Sequence, residues 1–546
     1  MKNTLPLLAA IMAIFNLTPI HSPAQSQVDW MGAYLNGNKV GWSLLAVGPE
    51  GRTPSPLRAA LDNPANSHPP LAEGPFYLLS KSSLEIQAYG SPNELSWEML
   101  ASLNLDFTLR GFRFEMIGKD SRIALAGRSE SGRLAMTILS ASSESIQEVD
   151  CPSGPLFVAE ALPIYLAERL SKGEEIDGDY AIFEPHQLSC AVWKVTLDGR
   201  ETFPSENGPV ETYRINQDVG GLTSTLWIDE SGRVLKEWAP LAEGLGYVSY
   251  TETADQARDL SFIHPMVSSA TDSELSAVPT PDLLYATCVR IPERIRNSDQ
   301  VDRMVIDLWG FQLEDPIPEG RWQTDLGRYR DSAPTEEFPM RLEIRSPNNA
   351  PLKEAVNYKP EDIPESFSRY LREESLIQSD HPRIRTLAKE LTADAESPWE
   401  KALAIYDWIE SNIRTEFRIT LPSALEVLDS KKGDCNEQST LFAALGRAAG
   451  IPTRICTGLV YQTDGFYYHA WNEVLISVDP EIWAPIDPAL KQTRVDATHI
   501  KFGEGGLSDQ AYLNQLIGRI HARIVEFDKH DPNREPDQTL RNQNSG

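Results

Sequence analysis

"GDCNEQSTLFAALGRAAGIP" (residues 433–452) is the stretch on which the fold turns. Asp434 and Glu437 are spaced as an N-cap and its box partner, so the spacing predicts a helix that opens at Cys435 and stops at Gly450 and Pro452. Leu441, Phe442, Leu445 and Ala449 give that helix one apolar face. Cys435 falls in its first turn, where unpaired N–H groups and the positive end of the helix dipole favour thiolate over thiol. A cysteine in a first turn also reads as a small apolar residue, so the flanking segments must decide between the two.

Downstream, "PTRICTGLVYQ" (452–462), the turn Thr463-Asp464-Gly465 and "FYYHAWNEVLI" (466–476) read as a strand, a turn and a returning strand. "VDPEIWAPIDPAL" (478–490) adds a short strand that ends at Asp487. By alternation His469, Trp471, Glu473 and Leu475 share one face, as do Trp483, Pro485 and Asp487 on the next strand. If those faces meet, Asp487 can hold His469. A nucleophilic thiol needs a base to take its proton, and the base needs a third group to fix its tautomer. Cys435, His469 and Asp487 supply the three in that chain order.

These blocks resemble the signature segments of the transglutaminase-like superfamily: Gly-Asp-Cys opening a helix, "RAAGIPTR" (447–454) leading into a strand, "HAWNEV" (469–474), and "WAPIDP" (483–488). The upstream "IQSDHPRIRTLAKELTADAESPWEKALAIYDWIESNI" (377–413) is similar to the helices that precede the nucleophile in bacterial members. The resemblance covers roughly residues 360 to 500 and implies a papain-like α+β domain with a Cys-His-Asp triad, carried by motif onto Cys435, His469 and Asp487. It implies acyl transfer through a thioester. The acyl group of a glutamine side chain or peptide bond would pass to an amine, or to water in a hydrolase or protease. The backbone N–H of Cys435 is the expected oxyanion donor. Trp471 and Trp483 are candidate walls of the acyl site, Glu473 reads as a satisfied structural carboxylate, and Trp399 and Trp408 read as core.

The remainder is organised around this core. "MKNTLPLLAAIMAIFNLTPIHSPAQSQ" (1–27) reads as an export signal, with cleavage expected after Ala24 and a periplasmic or extracellular location. Short alternating runs over 28–252 indicate a large antiparallel β domain, a sandwich or open barrel. "GAYLNGNKVGWS" (32–43) in it is similar to β domains that accompany such units in exported bacterial proteins. Residues 253–280 read as a linker, 281–358 as a small β-rich bridging segment, 359–525 as the transglutaminase-like domain, and 526–546 as a disordered tail. The expected class is thus α+β: a papain-like transglutaminase core on the C-terminal side, preceded by a large antiparallel β domain and a small β-rich segment.

Composition narrows the function. The formal net charge is -29, with 79 acidic against 50 basic residues, which disfavours nucleic acid and anionic membrane surfaces as partners. After signal removal no segment is long and apolar enough to span a bilayer. A protein or peptide substrate, cell-wall peptides included, is the expected partner. The five cysteines are odd in number, so at least one stays outside any intrachain bridge. Cys151 with Cys190 is a candidate pair, Cys456 reads as a buried inert thiol, and connectivity stays open at this level. Zinc sites bring ligands in local pairs such as Cys-x-x-Cys, and none occurs, so no metal and no cofactor is expected; the acidic residues form no EF-hand loop either. The rival of a different class is a non-catalytic binding or scaffold protein on the same fold.

Overall fold

The computed structural model describes residues 27–530 except 63–70, 89, 119–120, 131–132, 140–143, 206–207, 220, 243–244, 269–281, 312–315, 329–338, 349–353, 417–422 and 506–515. The signal segment therefore lies outside the described residues, as does most of the expected tail.

The N-terminal part is largely β. Fifteen strands, from Gln27–Leu35 to Leu245–Glu252, form one sheet whose spatial order runs from the eighth strand back to the first, then from the fifteenth back to the ninth. Two meanders are thus joined where Gln27–Leu35 pairs antiparallel with Leu245–Glu252, Ala33 standing opposite Ser249. The two edge strands, Glu144–Asp150 and Leu156–Val158, are separated by only the link 151–155. A link that short spans at most about 20 Å, so the sheet must curl until its edges approach. Cys151, just past one edge strand, is bonded to Cys190 on the strand Ser189–Ser205, with Cα atoms 5.2 Å apart. Phe112 and Phe183, from the two meanders, meet inside with ring centroids 4.6 Å apart.

The segment read as a linker contains two short helices, Ala254–Arg258 and Pro265–Ser268. Beyond it the chain interleaves. Val289–Arg290 pairs with Phe466 and Gly465 at the edge of the C-terminal sheet. Val301–Trp309, Gln323–Arg328 and Met340–Arg345 form a second sheet that is completed by His521–Lys529. That last strand runs past residue 525, where the sequence placed the start of a tail. Ala522 and Ile524 face inward, while Glu526 and Asp528 reach outward to Arg303, so its polar half is held by ion pairs rather than by an apolar pattern.

In the C-terminal part the helices Pro382–Leu391, Pro398–Asn412, Ala424–Ser430 and Cys435–Ala448 share one apolar core with a sheet. Ser397 and Glu400 form the capping box of the second helix, with Pro398 at its first position. Thr453–Gln462 lies between Gly465–Val478 and Ile500–Gly505, and Glu481–Ile486 pairs with the far side of Gly465–Val478. Ala470, Val474 and Ile476 belong to the same core as Leu441, Phe442 and Leu445 of the cysteine helix. Leu459, Phe466, Tyr468, Ile500 and Phe502 join the core shared with the second sheet. Among the described residues no helix is long and apolar enough to cross a membrane.

Candidate active site

Cys435 is the first residue of its helix, and the cap is the one the spacing predicts. Asp434 Oδ1 accepts from the Asn436 N–H at 2.9 Å, while Glu437 Oε2 accepts from the Asp434 N–H at 2.9 Å. Gly450, at φ +80°, closes the helix. The sulfur is fully buried, and the backbone N–H of Ala470 donates to it. That contact sets Cys435 against the residue next to His469. No disulfide engages Cys435, Cys456 or Cys288.

Burial pushes the Cys435 thiol well above its ordinary value, and the neighbouring Asp434 carboxyl pushes the same way. The helix entrance was expected to hold a thiolate; desolvation wins. Stabilisation by a helix end is worth about 0.3–1 kcal/mol, rising to about 2 at best, whereas moving an anion out of water costs several. Asp434 is raised for the same reason, burial first and Glu437 second.

Pairing across the sheet fixes where the imidazole and carboxylate stand. Leu475 lies opposite Trp483 and Glu473 opposite Pro485, so the alternating sets 469/471/473 and 483/485/487 point the same way. His469 Nε2 lies 2.7 Å from Asp487 Oδ2, and both side chains are sealed from solvent. Asp487 is locked further by Gln492, the two exchanging backbone N–H···O bonds of 2.9 and 2.8 Å, and by the Leu490 N–H on Oδ1 at 2.9 Å. Burial holds His469 below the ordinary imidazole range, with Asp487 working the other way. For Asp487 itself burial would raise the carboxyl, but His469 and His499 more than offset it and hold it well below the usual carboxylate range.

His499 is the participant that sequence reasoning missed. Its Nε2 lies 3.2 Å from the same Asp487 Oδ2, and its Nδ1 lies 3.1 Å from the Asp496 carbonyl oxygen. The local signal was an Asx-type turn, Asp496 Oδ1 accepting from the Thr498 N–H at 2.8 Å, which marks a turn but names no partner.

Trp471 lies near parallel to the His469 ring, centroids 6.2 Å apart, and edge-on to His499 at 5.2 Å. Trp483 packs under the Arg454 guanidinium, 4.2 Å from the ring centroid. Both tryptophans line a cavity of about 350 Å³ with Trp322, Arg454, His499 and Lys501; neither Cys435 nor His469 is in that lining. Glu473 is held by Arg454 and by Lys501, and these charges depress its pKa to about 2 against the effect of burial. Trp399 sits in the helical core, and Trp408 carries the Lys431 ammonium 4.3 Å from its ring centroid.

His469, Asp487 and His499 offer three ligand atoms within 4.8 Å of one another. A metal would need a lone pair from each imidazole. Here the Nε2 atoms of both rings aim at one carboxylate oxygen at hydrogen-bond distance, so each directs a proton there, and the donor set suits a hydrogen-bonded network better than an ion.

A thiol at a helix entrance, set against a strand that carries an imidazole paired with a carboxylate, defines a cysteine-based site in the broad sense. Residues 385–488 match the model of the transglutaminase-like superfamily. Over 99 residues, 17% of the chain, it is 34% identical to the uncharacterized protein YebA of Bacillus subtilis (strain 168), and the match spans 13% of that protein's length. A candidate cysteine protease from Cytophaga hutchinsonii is similar at 18% identity and TM-score 0.29, covering 43% of this chain and 90% of that one. A β-barrel-like protein of a domain of unknown function from Brucella abortus is similar at 7% identity and TM-score 0.31, covering 43% and 97% respectively.

Proposed function

We propose that the protein is an exported cysteine acyltransferase or hydrolase, with Cys435 as nucleophile, His469 as general base and acid, and Asp487 as the group that orients His469. The observation that carries this is the sealed His469–Asp487 pair, 2.7 Å between Nε2 and Oδ2, on a strand whose Ala470 N–H reaches the Cys435 sulfur. With Nε2 turned to Asp487, Nδ1 is the ring nitrogen that meets the thiol proton.

The chemistry follows from these charges. Burial raises the thiol and lowers the imidazole, so the resting pair is a thiol beside a neutral ring, and the proton moves as the sulfur attacks. The S–C bond forms at the carbonyl of a glutamine side chain or peptide bond, while the Cys435 proton passes to His469. The oxyanion is met by the Cys435 backbone N–H at the helix start. The C–N bond then breaks, His469 returns the proton to the leaving nitrogen, and a thioester remains. An amine or water next attacks the thioester, giving up its proton to His469; the C–S bond breaks, and His469 hands the proton to the departing sulfur, regenerating the thiol as the amide or acid leaves.

The substrate class is a protein or peptide, cell-wall peptides included. The helices packed on a sheet support a papain-like α+β core. A scaffold reading is favoured by one observation, the burial of the sulfur away from the tryptophan-lined cavity.

A labelled primary amine offered with glutamine-bearing proteins and with cell-wall peptides separates these readings. Amine incorporation that vanishes in Cys435→Ala means transferase; product release without incorporation, equally dependent on Cys435, means hydrolase. No turnover above Cys435→Ala with any substrate supports the scaffold.

A further inference from the structure

His499 immediately precedes the strand Ile500–Gly505 and is 5% exposed. Its neighbours are acceptors on both sides: Asp487 Oδ2 at 3.2 Å from Nε2, and on Nδ1 the Asp496 carbonyl oxygen at 3.1 Å and Asp496 Oδ1 at 3.4 Å. An imidazole that faces acceptors at both nitrogens donates from both, and so carries a positive charge. Asp487 Oδ2 is therefore shared by two rings, with His469 closer at 2.7 Å, while Oδ1 takes the Leu490 N–H. Asp496 is itself fixed, taking the Gln492 side chain on Oδ2 at 2.7 Å and the Thr498 N–H on Oδ1.

We propose that His499 is a positioning residue of the same site: held as an imidazolium between Asp496 and Asp487, it fixes the Asp487 carboxylate and offsets its charge, which keeps His469 neutral and ready to take the thiol proton. The proposal rests on the triad reading above. An orienting carboxylate with its full charge would draw a proton onto His469; a second cation 5.9 Å away, ring to ring, opposes that. Among the other charges lining the adjoining cavity, Arg454 and Lys501 both pair with Glu473 and with Glu504, Arg321 pairs with Glu354 and Arg345 with Glu343. The two aspartates and His469 are the titratable groups set against the His499 ring, and Tyr406, on the helix Pro398–Asn412, stands near enough to feel the Asp487 charge. Titration directions agree. Burial works against charge on His499, but Asp496 and Asp487 push it up to about 9, while His469 stays below its ordinary range with the charge of His499 among the causes.

If His499 serves only to close the local turn, its loss lowers stability without moving the titration of His469. The test is the histidine NMR titration of the full chain: wild type, His499→Gln, which removes the charge, and Asp496→Asn, which weakens the hold on it. The His469 midpoint is expected to rise by about one pH unit in His499→Gln, a roughly tenfold larger protonated fraction at a given pH on its alkaline side, and to rise in Asp496→Asn as well. A midpoint that stays put or falls in the variants overturns the proposal. Should His499→Gln not fold, Asp496→Asn against wild type decides alone. Loss of the acyl-transfer reading would show separately, as turnover that survives Cys435→Ala.

Discussion

His469 Nε2 and Asp487 Oδ2 stand 2.7 Å apart in a setting closed to water, though 18 residues separate them in the chain. The distance is set by strand register rather than by either side chain: with Glu473 opposite Pro485, the strand ends bring residue 487 alongside the face of residue 469. The pair is thereby built into the backbone.

That pairing makes Asp487→Asn informative. The amide keeps the shape and can still accept the Leu490 N–H, but offers no anion to hold the His469 tautomer. Acylation by an activated ester is expected to slow by about 10³–10⁴-fold with KM little changed. Steady-state kinetics on the variant check this, and a loss confined to KM would contradict it.

The double hold on His499 has a signature in stability. Its folded pKa is raised from 6.5 to about 9, so its contribution is complete below about pH 6.5 and fades as pH climbs through 9. The full effect is roughly 3 kcal/mol. His469, lowered by burial, acts on the acid side of 6.5, but buried acids such as Glu160, raised to about 8, also weaken the fold in this window, so the contrast with His499→Gln isolates His499. Denaturant titrations between pH 6.5 and 10 should show this decline in wild type and a flatter profile in His499→Gln; parallel profiles would refute the assignment.

Gly458 stands opposite His469, and a Cβ there would fall 1.8 Å from the Ile500 carbonyl oxygen, which is backbone and cannot swing away. Gly458→Ala must push the strand Ile500–Gly505 outward and draw His499 off Asp487. Destabilisation of about 1–3 kcal/mol or more is expected, together with a higher His469 midpoint. Thermal unfolding and NMR on one sample check both effects.

The bond between Cys151 and Cys190 closes a loop of sequence separation 39 across the curled sheet. Cys190→Ser should cost about 2–4 kcal/mol, read as a lower midpoint of unfolding. Because the bond lies in the β region, the His469 titration should not move. A variant as stable as wild type would mean that the sheet holds its closure without the bond.

The parts of this molecule visible in the sequence are those fixed by short spacings. Asp434 and Glu437 name the helix start three residues apart, Ser397 and Glu400 name another, and alternation aligns His469 with Trp471 and Glu473. What the sequence hid depends on distant pairing or on burial. His499, just before one strand, finds Asp487, just after another and twelve residues away, and nothing in "DATHIK" (496–501) announces it. The Cys435 thiol is raised because the whole core closes over it, which no local pattern reports. His521–Lys529 looks like a polar tail because Glu526 and Asp528 are answered by Arg303, more than two hundred residues upstream.

The most direct test of the account is where an acyl group lands. Wild type is treated with an activated ester, quenched in acid, and peptide-mapped by mass spectrometry beside His469→Ala and Cys435→Ala. The account predicts an acyl adduct on Cys435 in wild type, strongly reduced in His469→Ala and absent from that position in Cys435→Ala. An adduct on Cys435 that forms equally fast without His469, or acylation that bypasses Cys435, would contradict it.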